Sequence, residues 1–150
     1  VEEICEMKSI REILDLDECV LIGSRALGVH DESSDYDIVV HYPSVPDKIR
    51  HNYKMLNLKE YFKYVPLGNS YLIKMELPDE MFDIQTLETN KSIKIDLIIV
   101  EDKDYLIKYA QAIDTMKLIP KFIYKNKNLR VQLFEEILKH FGFKEITVDF

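Results

Sequence analysis

The sequence predicts an α/β or α+β domain: a mixed β-sheet flanked by helices, with two further helices at its C-terminal side. Three observations predict it. A helical stripe precedes a short apolar run at 19–22. Two longer apolar strands, at 35–41 and 92–100, each carry carboxylates among branched residues. Two amphipathic helical patterns follow the last strand.

Each element has its own signal. Residues 2–16 read as a helix, because Ile4, Met7, Ile10, Ile13 and Leu14 share one stripe while Glu2, Glu3, Glu6 and Arg11 lie off it. Residues 19–22 read as a short buried strand, and 24–28 as a helical turn from which Gly28 permits a left-handed exit. A polar loop at 29–34 leads into the strand 35–41, which Pro43 and Pro46 end. Residues 47–63 read as a helix with Ile49, Tyr53, Leu56 and Phe62 inward, although that spacing fits poorly. Pro66-Leu67-Gly68-Asn69 turns into a strand at 71–77, and Pro78-Asp79-Glu80 turns the chain again. Residues 82–87 suit either a short strand or a helix start, and Asn90 closes a turn before the strand 92–100. Asp102 can cap a helix that places Tyr105, Leu106, Tyr109, Ala110, Ile113 and Met116 on one side, and Pro120 interrupts it. Asn128 can cap the last helix, with Leu129, Leu133, Phe134, Ile137, Leu138 and Phe141 inward and Gly142 as the stop. Residues 146–148 suit a short edge strand.

Composition narrows the class. The 150 residues predict one domain spanning 1–150, and 47% hydrophobic residues supply its core. A net charge of −7 argues against a broad DNA-binding surface, while leaving room for a local basic strip such as Lys117, Lys121, Lys125, Lys127 and Arg130. Cys5 and Cys19 have neither metal-ligand spacing nor a disulfide framework, which fits a reducing, cytoplasmic setting. No apolar run reaches the length of a membrane span, and the start does not read as a signal peptide.

The chemistry concentrates in LIGSRALGVHDESSDYDIVV, residues 21–40. Side chains alternate along a strand, so Asp35 and Asp37 point the same way while Tyr36 and Ile38 enter the opposite layer. Two carboxylates on one face repel unless a cation lies between them, and such hard oxygen ligands suit magnesium or manganese. Gly23-Ser24 at a strand end, followed by a helical turn, can present backbone N–H groups to an anion. A phosphate cradle beside a carboxylate pair suggests a site for a nucleoside triphosphate. Taken alone, Gly23-Ser24 is also compatible with an ordinary strand-to-helix turn capped by Ser24, and Asp35-Tyr36-Asp37 with a solvated strand start. Arg25 fits either a surface position or a guanidinium on the triphosphate. His30 and His41 have no partner at metal-ligand spacing.

Gly23-Ser24 followed by Asp35-Tyr36-Asp37-Ile38 resembles the signature of the DNA polymerase β-like nucleotidyltransferase superfamily. The fuller pattern, with Arg25-Ala26, Gly28 and Ser34, is similar to its small bacterial and phage members. The resemblance implies a third carboxylate on a later strand, and Asp96 in Ser92–Val100 stands where it should. It further implies a metal-dependent enzyme in which Asp35, Asp37 and Asp96 are catalytic and hold two ions, roughly 3.5–4 Å apart. Gly23, Ser24 and Arg25 would bind the nucleotide. A nucleoside monophosphate would pass from the triphosphate, ATP among the candidates, to an acceptor hydroxyl with release of pyrophosphate. The acceptor, whether protein, RNA or small molecule, is not specified. One alternative is an antitoxin or binding module that keeps the fold and works by association; another is a nucleotide-binding regulator without turnover.

Overall fold

The computed structural model describes residues 10–78 and 92–146. The sequence-based readings for 2–9, 82–87, Asn90 and 147–148 lie outside the described residues. The elements run as a helical segment 10–14 (α1), β1 (Cys19–Ile22), α2 (Gly23–Leu27), β2 (Tyr36–His41), α3 (Asp47–Asn52), β3 (Leu56–Asn57), β4 (Tyr64–Val65), β5 (Ser70–Pro78), β6 (Ser92–Val100), α4 (Lys103–Lys117), α5 (Lys121–Tyr124), α6 (Lys127–His140) and β7 (Lys144–Glu145).

Five strands form the main sheet in the order β1-β2-β6-β5-β3. The sheet is mixed: β2 and β6 are parallel, while β1 pairs with β2, and β5 with both β6 and β3, in antiparallel fashion. β4 and β7 form a separate two-stranded sheet. Alternation along β6 explains why the sheet has two faces to cover. Ile95, Leu97 and Ile99 pack with Ile10, Leu14, Ile38 and Ile49 on the side of α1 and α3. Ile98 and Val100 pack with Val39, Tyr109, Ile113, Met116 and Leu138 on the side of α4 and α6. Each aliphatic side chain removed from water in this way contributes about 1.5–3 kcal/mol, which makes β2 and β6 the rigid centre of the molecule.

The structure corrects several element boundaries. α1 ends at 14 rather than 16, because Asp15 takes φ 56° and turns the chain. The helix expected over 47–63 stops at Asn52, with Ile49 its buried residue. Leu56 instead pairs with Leu72 across β3 and β5, where main-chain bonding outweighs the weak helical stripe. Asn126, not Asn128, caps α6, accepting a hydrogen bond from the Leu129 N–H at 3.1 Å. Leu129 is consequently exposed, and on α4 Ala112 rather than Ala110 is buried. The last strand among the described residues is Lys144–Glu145, paired with β4, and Ile146 lies beyond it. Pro120 does separate two helices, as the N-cap of α5. Leu118 and Phe122, flanking that break, are 85% and 79% exposed. No helix among the described residues is long and apolar enough to cross a membrane.

Candidate active site

The site begins where β1 runs directly into α2. Gly23 makes this turn with φ +76°, a conformation that L side chains rarely adopt. A Cβ placed there would overlap Oδ2 of Asp37 and lie 3.3 Å from its Cγ. The glycine therefore serves both the turn and the close approach of the backbone to the carboxylate. Ile22, not Ser24, is the N-cap residue of α2. Gly28 ends α2 in the left-handed conformation expected of it.

One row of residues crosses four strands. Ile22 pairs with Asp37, Asp37 with Asp96, and Asp96 with Lys74. Strand alternation puts Asp37 and Asp96 on the same face as Val39 and Ile98, toward α4 and α6. Asp35 lies just before β2 and is exposed, whereas Asp37 and Asp96 are half-buried.

The three carboxylates feel one another's charge. Burial pushes Asp37 up to about 7, reinforced by the charges of Asp96 and Asp35 and by a hydrogen bond shared with Asp96. Asp96 is also raised, by burial first and by Asp35 next, while Lys74 and the bond from Asp37 oppose the shift. Lys74 was absent from the sequence-based site. Only the strand register reveals it, since Lys94, nearer in sequence, lies opposite Glu76 instead.

Arg25 does not take the surface position that was one of its two readings. It is 7% exposed. Its Nε donates to the Ser34 carbonyl at 3.0 Å and its Nη1 to the Tyr36 hydroxyl at 3.1 Å, and its guanidinium carbon lies 4.0 Å from the Tyr36 ring centroid. These contacts tie α2 to the loop that delivers Asp35. Asp31 organises the same loop, accepting from the Ser33 N–H at 2.8 Å and from the Ser33 hydroxyl at 2.6 Å.

A cavity of about 180 Å³ opens beside Asp37 and Gly23, between the sheet, α4 and α6, with Phe62, Tyr109 and Phe134 among its walls. His41 is spoken for elsewhere, its Nε2 lying 3.0 Å from the Glu101 carbonyl. Among the described residues, no three His, Cys, Asp or Glu side chains are already drawn up as a metal cage. The donor set still fits a hard divalent cation: the register sets the carboxyl groups of Asp37 and Asp96 side by side on neighbouring strands, with the charge of Asp35 felt by both.

The site can therefore concentrate negative charge on one sheet face next to a glycine turn, which suits handling of a phosphorylated ligand with a cation. The solved structures that the chain resembles include the Cid1 poly(U) polymerase bound to MgATP, at 14% identity and TM-score 0.37, covering 87% of this chain and 39% of that one. A second Cid1 poly(U) polymerase structure gives 16% identity and TM-score 0.38, covering 87% and 38%. This chain thus spans under two fifths of those structures. No curated protein matches it. The family model described as a nucleotidyltransferase domain matches residues 4–148, and the chain belongs to that family.

Proposed function

We propose that this domain moves a nucleoside monophosphate from a nucleoside triphosphate to an acceptor hydroxyl, releasing pyrophosphate. The observation that supports this most is the register of β2 and β6, which sets Asp37 directly beside Asp96. Asp35, Asp37 and Asp96 would hold Mg2+ or Mn2+; when bound, the ion offsets phosphoryl charge and makes the acceptor hydroxyl more acidic.

The chain's own residues divide the remaining work. The Gly23-Ser24 turn borders Asp37 with no side chain between, so the β- and γ-phosphates can rest on its backbone. The acceptor oxygen approaches from the other end of the row, past Asp96. It attacks the α-phosphorus as the bond to the bridging oxygen breaks, and pyrophosphate departs on the Gly23 side. Asp96 takes the hydroxyl proton. Arg25 positions rather than binds: it fixes the loop 31–34 and Tyr36, and with them Asp35.

The binding-module alternative called for apolar exposure on the terminal helices, and Leu118 and Phe122 are exposed there. Membership of a nucleotidyltransferase family and the shared carboxylate row weigh for turnover instead.

The deciding experiment supplies each α-labelled nucleoside triphosphate with magnesium and cell lysate, then follows transferred label and pyrophosphate. Label transfer by the parent, lowered at least about 100-fold in Asp96→Asn, is the expected result. Equal transfer by parent and variant would remove Asp96 from the mechanism.

A further inference from the structure

Asp96 has a neighbour of opposite charge on its other side. Lys74 lies directly across from it in the antiparallel ladder of β5 and β6. Side chains so opposed on one face are close enough to interact. The Nζ of Lys74 also sits 5.0 Å from the centroid of the Tyr61 ring, so an aromatic face steadies the ammonium from a second direction. The order across the sheet is then Gly23 turn, Asp37, Asp96, Lys74: the proposed phosphate end at one side and a cationic side chain at the other.

We infer that Lys74 is the resident counter-cation of this row, holding Asp96 beside Asp37 when no divalent ion is bound and competing with that ion for Asp96 when one arrives. The inference deepens the metal reading above and rests on it for its second half. An ammonium on a four-carbon stem suits such a placeholder. It is a compact charge, it is exposed and can withdraw toward solvent, and Tyr61 gives it somewhere to go. Lys74 acts through Asp96, so it is a positioning residue. Its presence weakens capture of a bare ion and favours an ion that arrives with a triphosphate, whose negative charge satisfies both cations.

The test uses Lys74→Met and Lys74→Arg, each in the parent and in an Asp96→Asn background. With chelator present, Lys74→Met should lower the melting temperature in the parent and do so far less in Asp96→Asn. In a magnesium titration followed by melting, Lys74→Met should reach half of its full stabilisation at roughly two- to fivefold less magnesium, the scale of one exposed ion pair. Lys74→Arg should stay within about twofold of the parent. A lysine with a merely structural role gives the opposite sign, because loosened carboxylates bind magnesium more weakly. An equal melting loss in both backgrounds overturns the resident cation, and an unchanged or higher magnesium midpoint overturns the competition. A parent without any magnesium response sinks the metal reading and the competition together. The chelator measurements then still decide, by themselves, whether Lys74 and Asp96 are paired.

Discussion

Gly23 and Asp37 meet so closely that a single methyl group on the glycine would occupy the space of a carboxylate oxygen. The turn that ends β1 and the acid that opens the face of β2 are therefore one structural unit.

Gly23→Ala should damage both halves of that unit. The left-handed backbone and the overlap with Asp37 together should remove roughly 2 kcal/mol or more, about 5 °C in melting temperature for a domain of this size. Label transfer should fall with it. Gly28→Ala is the control: its φ is +69°, but a Cβ would meet only the flexible end of Lys121 at 3.3 Å. It should lose about 1 kcal/mol while keeping transfer. Equal losses of transfer in the two variants would mean that the contact with Asp37 is irrelevant.

Magnesium should stabilise the parent, and magnesium with a triphosphate should stabilise it further. At about 100 times its dissociation constant a ligand contributes roughly 2.7 kcal/mol, a rise of several degrees. Asp35→Asn/Asp37→Asn should lose most of that response. The same magnesium response in parent and double variant would place the ion elsewhere.

The elevated Asp37 carboxyl sets a pH dependence with a definite sign. Its folded value, about 7, lies above the ordinary 3.8, so between those values the folded protein binds more protons than the unfolded chain. Stability from this group is complete below about pH 4 and is lost as pH rises through about 7. Melting in chelator from pH 5 to 8 should therefore decline more steeply for the parent than for Asp37→Asn. Added magnesium should reduce the difference. Parallel curves in chelator would show that Asp37 titrates alike in both states.

Arg25→Lys should behave unlike a conservative change. A lysine can keep one bond but cannot span the Ser34 carbonyl and the Tyr36 hydroxyl while stacking on the ring. A loss of about 1.5–3 kcal/mol is expected from the vacated charged hydrogen bonds. Limited proteolysis should then cut within 29–34 sooner than in the parent. Unchanged cleavage there would show that Arg25 does not hold the loop.

Local pattern carried much of this molecule. The alternation in Ser92–Val100 separates the two faces of β6, and the structure keeps that division, with Ile95, Leu97 and Ile99 on one side and Ile98 on the other. Gly23 lies against Asp37, and Asp37 beside Asp96. Relations between distant strands were not legible. Lys74 faces Asp96 because of an antiparallel register that no local spacing encodes. Residues 53–63 failed for a related reason: Leu56 gains a partner in β5 that its own neighbours do not announce. The burial of Arg25 was not legible either, because a guanidinium beside a glycine turn looks the same in sequence whether it lies at the surface or folds back on its own loop.

The parallel register of β2 and β6 has one more consequence. Six consecutive pairs join Tyr36–His41 to Ile95–Val100, and most of the side chains involved are buried and apolar. A slip by one residue would set Asp37 beside Leu97 and turn one strand's oily row out of its layer. The apolar pairs thus hold two carboxyl groups side by side, where burial and neighbouring carboxylate charge push both up. Hydrophobic packing acts here as a spring held under load, keeping the acids at working distance before any substrate arrives. In the proposed transfer, binding energy from the nucleotide would then not be diverted to gather them, and would remain for the strained geometry at phosphorus.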